Sequence, residues 1–225
     1  MKIFIAVPCM DQLPALFAQS LAMLQREGNT LVGFQIGSLV YDSRNNLAKK
    51  AIQAEADYVM WFDSDMTFKP DTLQRMVRKC EEEKLDFLSG VYFRRVPPYR
   101  TVLFDRLEII EGKGCRWTSF ESVPDGTFEI AGCGFGCVLV RTEVVMSVAA
   151  KFGGRMFDPL EGLGEDLSFC WRARQCGYKL YCDSTVECGH VGNVTITRAY
   201  HDAMREVKND VGENKTGDED LDDSL

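Results

Sequence analysis

Apolar runs of strand length alternate with stretches of helical periodicity through the first 93 residues, and this alternation restricts the available folds more than any other feature. Lys2 to Val7 is almost wholly apolar, as a strand covered on both faces must be, and Pro8 ends it. Leu13, Leu16, Phe17, Ser20, Leu21 and Leu24 then form one face of a helix that Gly28 closes. Leu31 to Ile36 reads as a second strand. Leu47, Ala48, Ala51 and Ile52 share a face of a helix over Arg44 to Ala56, and Tyr58 to Phe62 is a third strand ending at Asp63. Pro70 suits the first turn of a helix carrying Leu73, Met76, Val77 and Cys80, and Phe87 to Phe93 is a fourth strand. Strands joined by such helices require right-handed crossovers, so the fold expected is α/β, with a mostly parallel central sheet flanked by helices. Ligands in these sheets lie beyond the carboxyl ends of the strands, which puts Pro8, Asp63 to Asp65 and Gly90 at one mouth.

Arg94 to Glu129 is less regular, richer in Pro, Arg and Gly, and reads as an excursion over the sheet. Order resumes with a glycine-punctuated strand pair over Phe128 to Arg141 and a helix from Thr142 to Phe152, stopped by Gly153 and Gly154. A further helix starts near Gly164, passes Leu167, Cys170, Trp171 and Arg174, and stops at Gly177, after which Lys179 to Cys182 is extended. No internal repeat is present. A chain of 225 residues suits one large core, and a single domain over residues 1–201 is expected. Residues 202–225 hold nine acids and three bases without apolar periodicity, and read as an acidic, largely disordered C-terminal tail.

Without that tail the acids and bases nearly balance, at 25 against 23. No basic stripe interleaved with aromatics occurs, which excludes nucleic acid as the expected partner. The opening MKIFIAVPCM has too short an apolar run for a secretion signal, and no segment approaches the 18 or so apolar residues of a membrane span. A soluble, cytoplasmic protein with no integral membrane segment is expected. Its nine cysteines should then be reduced, and mostly small buried apolar residues. Cys170, Cys176, Cys182 and Cys188 lie near His190 but lack the tight Cys-x-x-Cys pairs of structural zinc sites. Trp61, Phe62, Phe135 and Trp171 read as core residues.

Asp63-Ser64-Asp65 follows a buried strand directly, so two carboxylates are held close together with no basic neighbour. Such a pair calls for a hard divalent cation, whose shell substrate phosphates and water complete. The spacing alone recurs at Asp218-x-Asp220, so the position after the strand gives the first pair its weight. Gly164-Glu165-Asp166 opens a helix, where acids also complement the helix dipole. Further on stand Arg172, Gly177-Tyr178 and Gly189-His190-Val191-Gly192. His190 is one of only two histidines, and its glycine neighbours leave room for a ligand near the backbone.

The segments SRNNLAKKAIQAEADYVMWFDSDMTFKPDTL, AGCGFGCVLVRTEV and GEDLSFCWRARQCGYKLYCDSTVECGHVG, in this order and approximate spacing, resemble the nucleotide-sugar-dependent glycosyltransferases of the GT-A fold, particularly those like family two. The resemblance implies one Rossmann-like GT-A domain and a hexosyltransferase-like activity. It implies a nucleoside-diphosphate sugar as donor, a Mn²⁺ or Mg²⁺ cofactor, and an acceptor that is a glycan, a protein or a small molecule. Asp63 and Asp65 take the positions of the family's Asp-x-Asp motif, with Ser64 between them, and His190 matches the histidine that completes the metal site in several such enzymes. Asp166 takes the position of the general base and Glu165 that of a residue orienting it or holding the acceptor. Arg44 and Pro8 fall near the donor nucleotide. One base facing away from the leaving diphosphate would give inversion.

The match departs from the family at two places. Cys9-Met10-Asp11 replaces the usual threonine-and-asparagine turn, and the second strand leads to Gly37-Ser38 without an acidic pair, which leaves uridine and guanosine donors both open. Arg94 and Arg95, just past a strand end, could meet phosphates or acceptor. Two other readings of the same carboxylates are a metal-dependent nucleotidyltransferase and a non-catalytic nucleotide-sugar-binding module. The first normally carries a Gly-rich basic loop after the first strand, and Cys9 to Pro14 has neither glycine nor base.

Overall fold

The computed structural model describes residues 1–26, 28–110, 114–160, 162–192 and 198. Its first half comprises β1 (Lys2–Cys9), α1 (Ala15–Met23), β2 (Asn29–Ile36), α2 (Val40–Gln53), β3 (Tyr58–Phe62), β4 (Met66–Thr67), α3 (Thr72–Glu83) and β5 (Phe87–Val91). The second half comprises β6 (Leu103–Ile110), β7 (Gly114–Ser119), β8 (Thr127–Ile130), β9 (Gly132–Cys133), β10 (Cys137–Arg141), α4 (Thr142–Phe152), α5 (Glu165–Gln175), β11 (Leu180–Glu187) and β12 (Gly189–His190). Residues Met1–Val191 form one compact unit. His201 and the acidic segment 202–225 lie outside the described residues.

Seven strands form the central sheet in the order β2-β1-β3-β10-β5-β11-β8. β2, β1 and β3 run parallel, as do β5 and β11, whereas β10 is antiparallel to both β3 and β5 and β8 is antiparallel to β11. This is the expected mostly parallel α/β sheet. Its inner strands β1, β3, β10 and β5 are buried almost throughout because helices cover both faces. Ile3, Ile5 and Val7 point into a layer shared with Phe17 and Leu21 of α1 and Leu73, Met76 and Cys80 of α3. Phe4, Ala6, Val59 and Trp61 point the other way, against Leu47 of α2, Val144 and Val148 of α4 and Phe169 of α5. Burying each of the Val, Leu, Ile, Met and Phe side chains among them contributes about 1.5–3 kcal/mol.

Several boundaries differ from the sequence reading. α1 begins only after Pro14 and centres its buried arc on Phe17 and Leu21, so Leu13 and Leu16, read as core, are exposed. The helix also ends at Met23, where Leu24 turns extended, rather than at Gly28. α2 starts at Val40, one turn earlier than read, which places Arg44 inside the helix. Pro70 lies before α3, whose N-terminal cap position is Asp71. The glycine-rich "strand pair" is not a pair: β8 takes the sheet edge beside β11 and β10 takes a central position. The excursion is more regular than its composition suggests, because β6 and β7 form an antiparallel hairpin that β9 joins in a three-stranded sheet.

The glycines of this segment make room for one buried phenol. A Cβ at Gly134 would stand 2.2 Å from the Tyr92 hydroxyl, and one at Gly136 would stand 2.7 Å from Tyr92 Cζ. The same hydroxyl accepts the Gly136 N–H at 2.9 Å. Gly134→Ala is therefore expected to lower stability by about 1–3 kcal/mol. Tyr92→Phe removes the obstructing oxygen, so the double variant should be more stable than the two separate losses predict; additive losses in denaturant unfolding would contradict this packing.

Candidate active site

The chain leaves β3 at Phe62 and turns immediately. The Asp63 N–H donates to Gly136 O at 3.2 Å, and the Met66 N–H donates back to Asp63 O at 3.2 Å, which fixes the Asp63-Ser64-Asp65 turn at the carboxyl end of the strand. The two residues of β4 then pair with β12, setting His190 opposite Met66, and Val191 N donates to Asp65 O at 2.7 Å. This short ladder brings the distant His190 to the aspartates. The closeness of Gly189 is to the protein itself, since a Cβ there would stand 2.4 Å from Thr67 Oγ1; it does not open the backbone to a ligand as the sequence reading held.

His190 Nδ1 donates to the Phe93 carbonyl at 2.9 Å, and its ring meets Tyr92 edge to face at 5.6 Å. In the neutral ring that bond leaves the lone pair on Nε2, which stands 3.4 Å from Asp65 Oδ2. The hydrogen bond that protonated Nε2 donates to Asp65 raises the His190 pKa, against the effect of burial. Burial works to raise the Asp65 pKa, but His190 and Arg95 outweigh it and hold the carboxyl below its usual range.

Arg44 is 2% exposed. Its Nη2 donates to Asp63 Oδ1 at 2.8 Å and its Nε to Glu165 Oε1 at 3.3 Å. The guanidinium carbon lies 5.8 Å from the Trp61 ring centre and 5.4 Å from that of Phe135, while Nη1 is buried with no hydrogen-bond partner among the described residues. A charge so enclosed costs several kcal/mol unless it is paired. Burial opposes the charge, and the carboxylates of Asp63, Glu165 and Asp166 overcome it, so the pKa rises and the guanidinium stays ionised. The aromatic core residues Trp61 and Phe135 are also the walls of this arginine.

Glu165 and Asp166 occupy the first turn of α5, after Gly164. Asp166 Oδ1 accepts the Leu167 N–H at 2.7 Å. Burial, reinforced by the charge of Glu165, raises the Asp166 pKa to about 6, with Leu167 N–H and Arg44 acting in the opposite sense. This carboxyl is thus tuned close to neutrality.

Pro8, Arg44, Asp63, Ser64, Asp65, Glu165 and His190 all line one cleft of about 330 Å³. Asp166 stands next to Glu165 but is not among the lining residues, and neither is Gly90, whose Cα faces Val186 and Cys137. Of the two arginines past β5, Arg95 enters the cleft: its Nη1 lies 2.8 Å from Asp65 Oδ2 and donates to Val191 O at 3.2 Å. Cys9, Met10, Gly37, Ser38 and Ser43 complete the opposite wall. The sequence reading missed Tyr92 and the Phe93 carbonyl; a main-chain acceptor leaves no signature in side-chain letters.

Among the described residues, no three His, Cys, Asp or Glu converge to hold a metal ion. Asp63 is committed to Arg44, so only Asp65 and His190 face a common point. Two protein ligands completed by phosphate oxygens and water fit a hard cation delivered with a nucleotide, and do not fit a closed protein cage. Nor do the cysteines gather for zinc among the described residues: seven of the nine thiols are buried, and Cys170 and Cys182 lie in one apolar layer while Cys188 lies in the other.

Residues 41–148 match the family model described as Glycosyl transferase family 2. Among solved structures, A197 from STIV superposes with a TM-score of 0.60 at 16% identity, over 85% of this chain and 86% of that one. GalNAc-T7, solved with UDP, GalNAc and Mn²⁺, superposes with a TM-score of 0.58 at 9% identity; it is matched over 86% of this chain, which spans 44% of its length. No curated protein matches by sequence. The likenesses to solved structures give the GT-A fold, and the family model, matched over residues 41–148, supports a glycosyltransferase like those of family two.

The raised Asp166 pKa has a consequence for stability. A carboxyl near ~4 in the unfolded chain and at about 6 in the folded one binds its proton more tightly when folded, so stability falls as pH rises through that window. Asp166→Asn keeps the oxygen that accepts from Leu167 and removes the charge. It is expected to stabilise the protein at pH 7.5 by on the order of 1–2 kcal/mol and to leave it unchanged near pH 4. Equal unfolding midpoints for the two proteins at pH 7.5 would contradict this assignment.

Proposed function

We propose that the enzyme transfers a sugar from a nucleoside diphosphate to an acceptor hydroxyl with inversion at the anomeric carbon, using Asp166 as the proton acceptor. The observation that carries this reading is the convergence of Arg44 from α2, Asp63 and Asp65 from the end of β3, Glu165 from α5 and His190 from β12 on one cleft beyond the strand ends. The mouth of such a sheet is where an α/β fold binds its ligand.

Each group has a task in this reading. Asp65 and His190 would hold Mn²⁺ or Mg²⁺, which supplies Lewis-acid neutralisation of the departing diphosphate. Arg95 shares Asp65 Oδ2 with His190 and is half-exposed, so it is free to turn from the carboxylate to a phosphate. Arg44 fixes Asp63 and Glu165, and Asp63 with Ser64 lies toward the donor ribose. Pro8, Met10, Gly37 and Ser38, at the ends of β1 and β2, form the wall for the nucleoside. Asp166 Oδ2 takes the proton of the attacking hydroxyl, and Glu165 beside it keeps that hydroxyl in place. A base whose pKa lies near neutrality is suited to this transfer.

Among the described residues, no helix is long and apolar enough to cross a membrane. Nine free thiols support a reducing, cytoplasmic setting. In this reading residues 1–201 are the transferase domain and 202–225 an acidic tail.

The test is thermal unfolding against UDP, GDP and their sugar conjugates, each with and without Mn²⁺, for wild type and Asp65→Ala. One base should raise the unfolding midpoint in a Mn²⁺-dependent manner, and Asp65→Ala should abolish the shift; no shift with any nucleotide counts against the reading. Transfer should then fall on acidification with a midpoint near 6, as Asp166 protonates. Asp166→Asn should lose transfer while retaining the nucleotide shift, and unchanged turnover in that variant removes Asp166 as the base.

A further inference from the structure

A second, larger cleft lies on the excursion. It measures about 790 Å³ and runs between the loop after β5 and the segment from Trp117 to Val123. The loop is closed on itself by the Phe93–Thr101 bridge and by the Arg94 N–H donating to Arg100 O at 2.9 Å. Three large aromatic side chains stand half in water around this one space: Trp117 is 45% exposed, Tyr99 52% and Phe93 40%. Trp117 is held by Phe104 of the same hairpin, edge to face at 5.5 Å, and still presents nearly half of its surface to the cleft. Exposed rings gathered in this way mark a surface that something covers.

The rest of the lining says what covers it. Arg100, Ser119 and Glu121 alternate with the rings, so the cleft carries hydroxyls and both signs of charge rather than one. A lipid chain would leave these groups unpaired, and a polyanion would meet Glu121. A pyranose has apolar C–H faces and a rim of hydroxyls, which an indole or phenol face beside hydroxyl and charged groups complements on both counts. The cleft also adjoins the catalytic one. Phe93, whose side chain lines it, supplies the carbonyl that holds His190 Nδ1 at 2.9 Å.

We infer that this cleft is the acceptor site and that the acceptor is a carbohydrate, a di- or oligosaccharide with one ring stacked on Trp117 or Tyr99. The inference rests on the transferase reading above and specifies its acceptor. In the step so defined, the oxygen of an acceptor hydroxyl bonds to the anomeric carbon, the carbon–oxygen bond to the diphosphate breaks, the hydroxyl proton goes to Asp166, and the nucleoside diphosphate leaves with the bonding electrons. A polypeptide acceptor, pairing along the free edge of β7, is the competing occupant.

The test applies the full-length protein to an oligosaccharide array and to a peptide array, each with and without UDP or GDP and Mn²⁺. Wild type should bind oligosaccharides. Trp117→Ala should reduce that binding by roughly tenfold or more, Tyr99→Ala should reduce it by less, and Trp117→Phe should restore most of it. Trp117 is half-exposed, so unfolding midpoints of the variants should match wild type, and a matched Trp117→Phe keeps the comparison valid if Trp117→Ala is unstable. Binding to peptides alone, no binding to any oligosaccharide, or glycan binding indifferent to Trp117→Phe and Trp117→Ala would overturn the inference. Asp65→Ala separates the two readings: it should lose the nucleotide shift and keep the glycan. Trp117-dependent glycan binding in a wild type that shows no nucleotide shift would remove the transferase assignment and leave the carbohydrate site standing.

Discussion

The site depends on one buried cation. Arg44 is enclosed between Trp61 and Phe135 and ties together the three pieces of chain that supply the acidic groups: its own helix, the turn after β3 through Asp63, and the start of α5 through Glu165. Without it, carboxylates from separate elements would converge in a half-buried cleft with no compensating charge, and their repulsion and desolvation would drive the elements apart. The ion pairs are better seen as fixing geometry than as adding stability, because the desolvation of the arginine offsets much of their attraction. The neighbouring network has the same character: Asn45, next to Arg44, accepts the Phe157 N–H at 2.9 Å and donates to Asp158 Oδ1 at 2.9 Å, which anchors the approach to α5 on the same helix.

A second constraint is steric. Tyr92 threads between Gly134 and Gly136, hydrogen-bonds the chain just before β10, and presents its ring to His190. The glycine-punctuated segment is therefore the mould for one side chain, and that side chain sets the position of the histidine. Asp63 is tied to the same place through its N–H to Gly136 O. Small residues in the second half of the chain thus register the Asp63-Ser64-Asp65 turn in the first half, a coupling that close-packed interiors make rigid.

Much of this was legible in the letters. The strands Lys2–Cys9 and Tyr58–Phe62 announce themselves because a strand buried on both faces has no polar positions, and the helix Thr142–Phe152 is bounded as its glycines suggest. Asp63, Asp65 and Glu165 could be singled out because each sits at a strand end or helix start where a side chain reaches the mouth of the sheet, His190 because of its glycine neighbours, and Arg44 only through the family resemblance. Errors fell where tertiary contact overrides local pattern. Leu16 has the spacing of a core residue, yet α1 covers only one side of its layer and leaves it in water. The antiparallel placement of β10 between β3 and β5 is equally invisible in its composition, since any central strand would be as apolar.

The sequence by itself determined the class of fold and the identity of the polar groups at its mouth, because these follow from periodicity and the residues that interrupt apolar runs. Tertiary structure alone decided how those groups are partnered. It assigned Asp63 to Arg44 and Asp65 to His190 and Arg95, raised the Asp166 pKa to about 6, and left Trp117 and Tyr99 standing around a second cleft. The reason is that pairing and proton affinity depend on which charges lie within a few ångströms and how much water remains between them. Those distances are set by contacts between residues far apart in the chain, such as the two-residue ladder of β4 and β12.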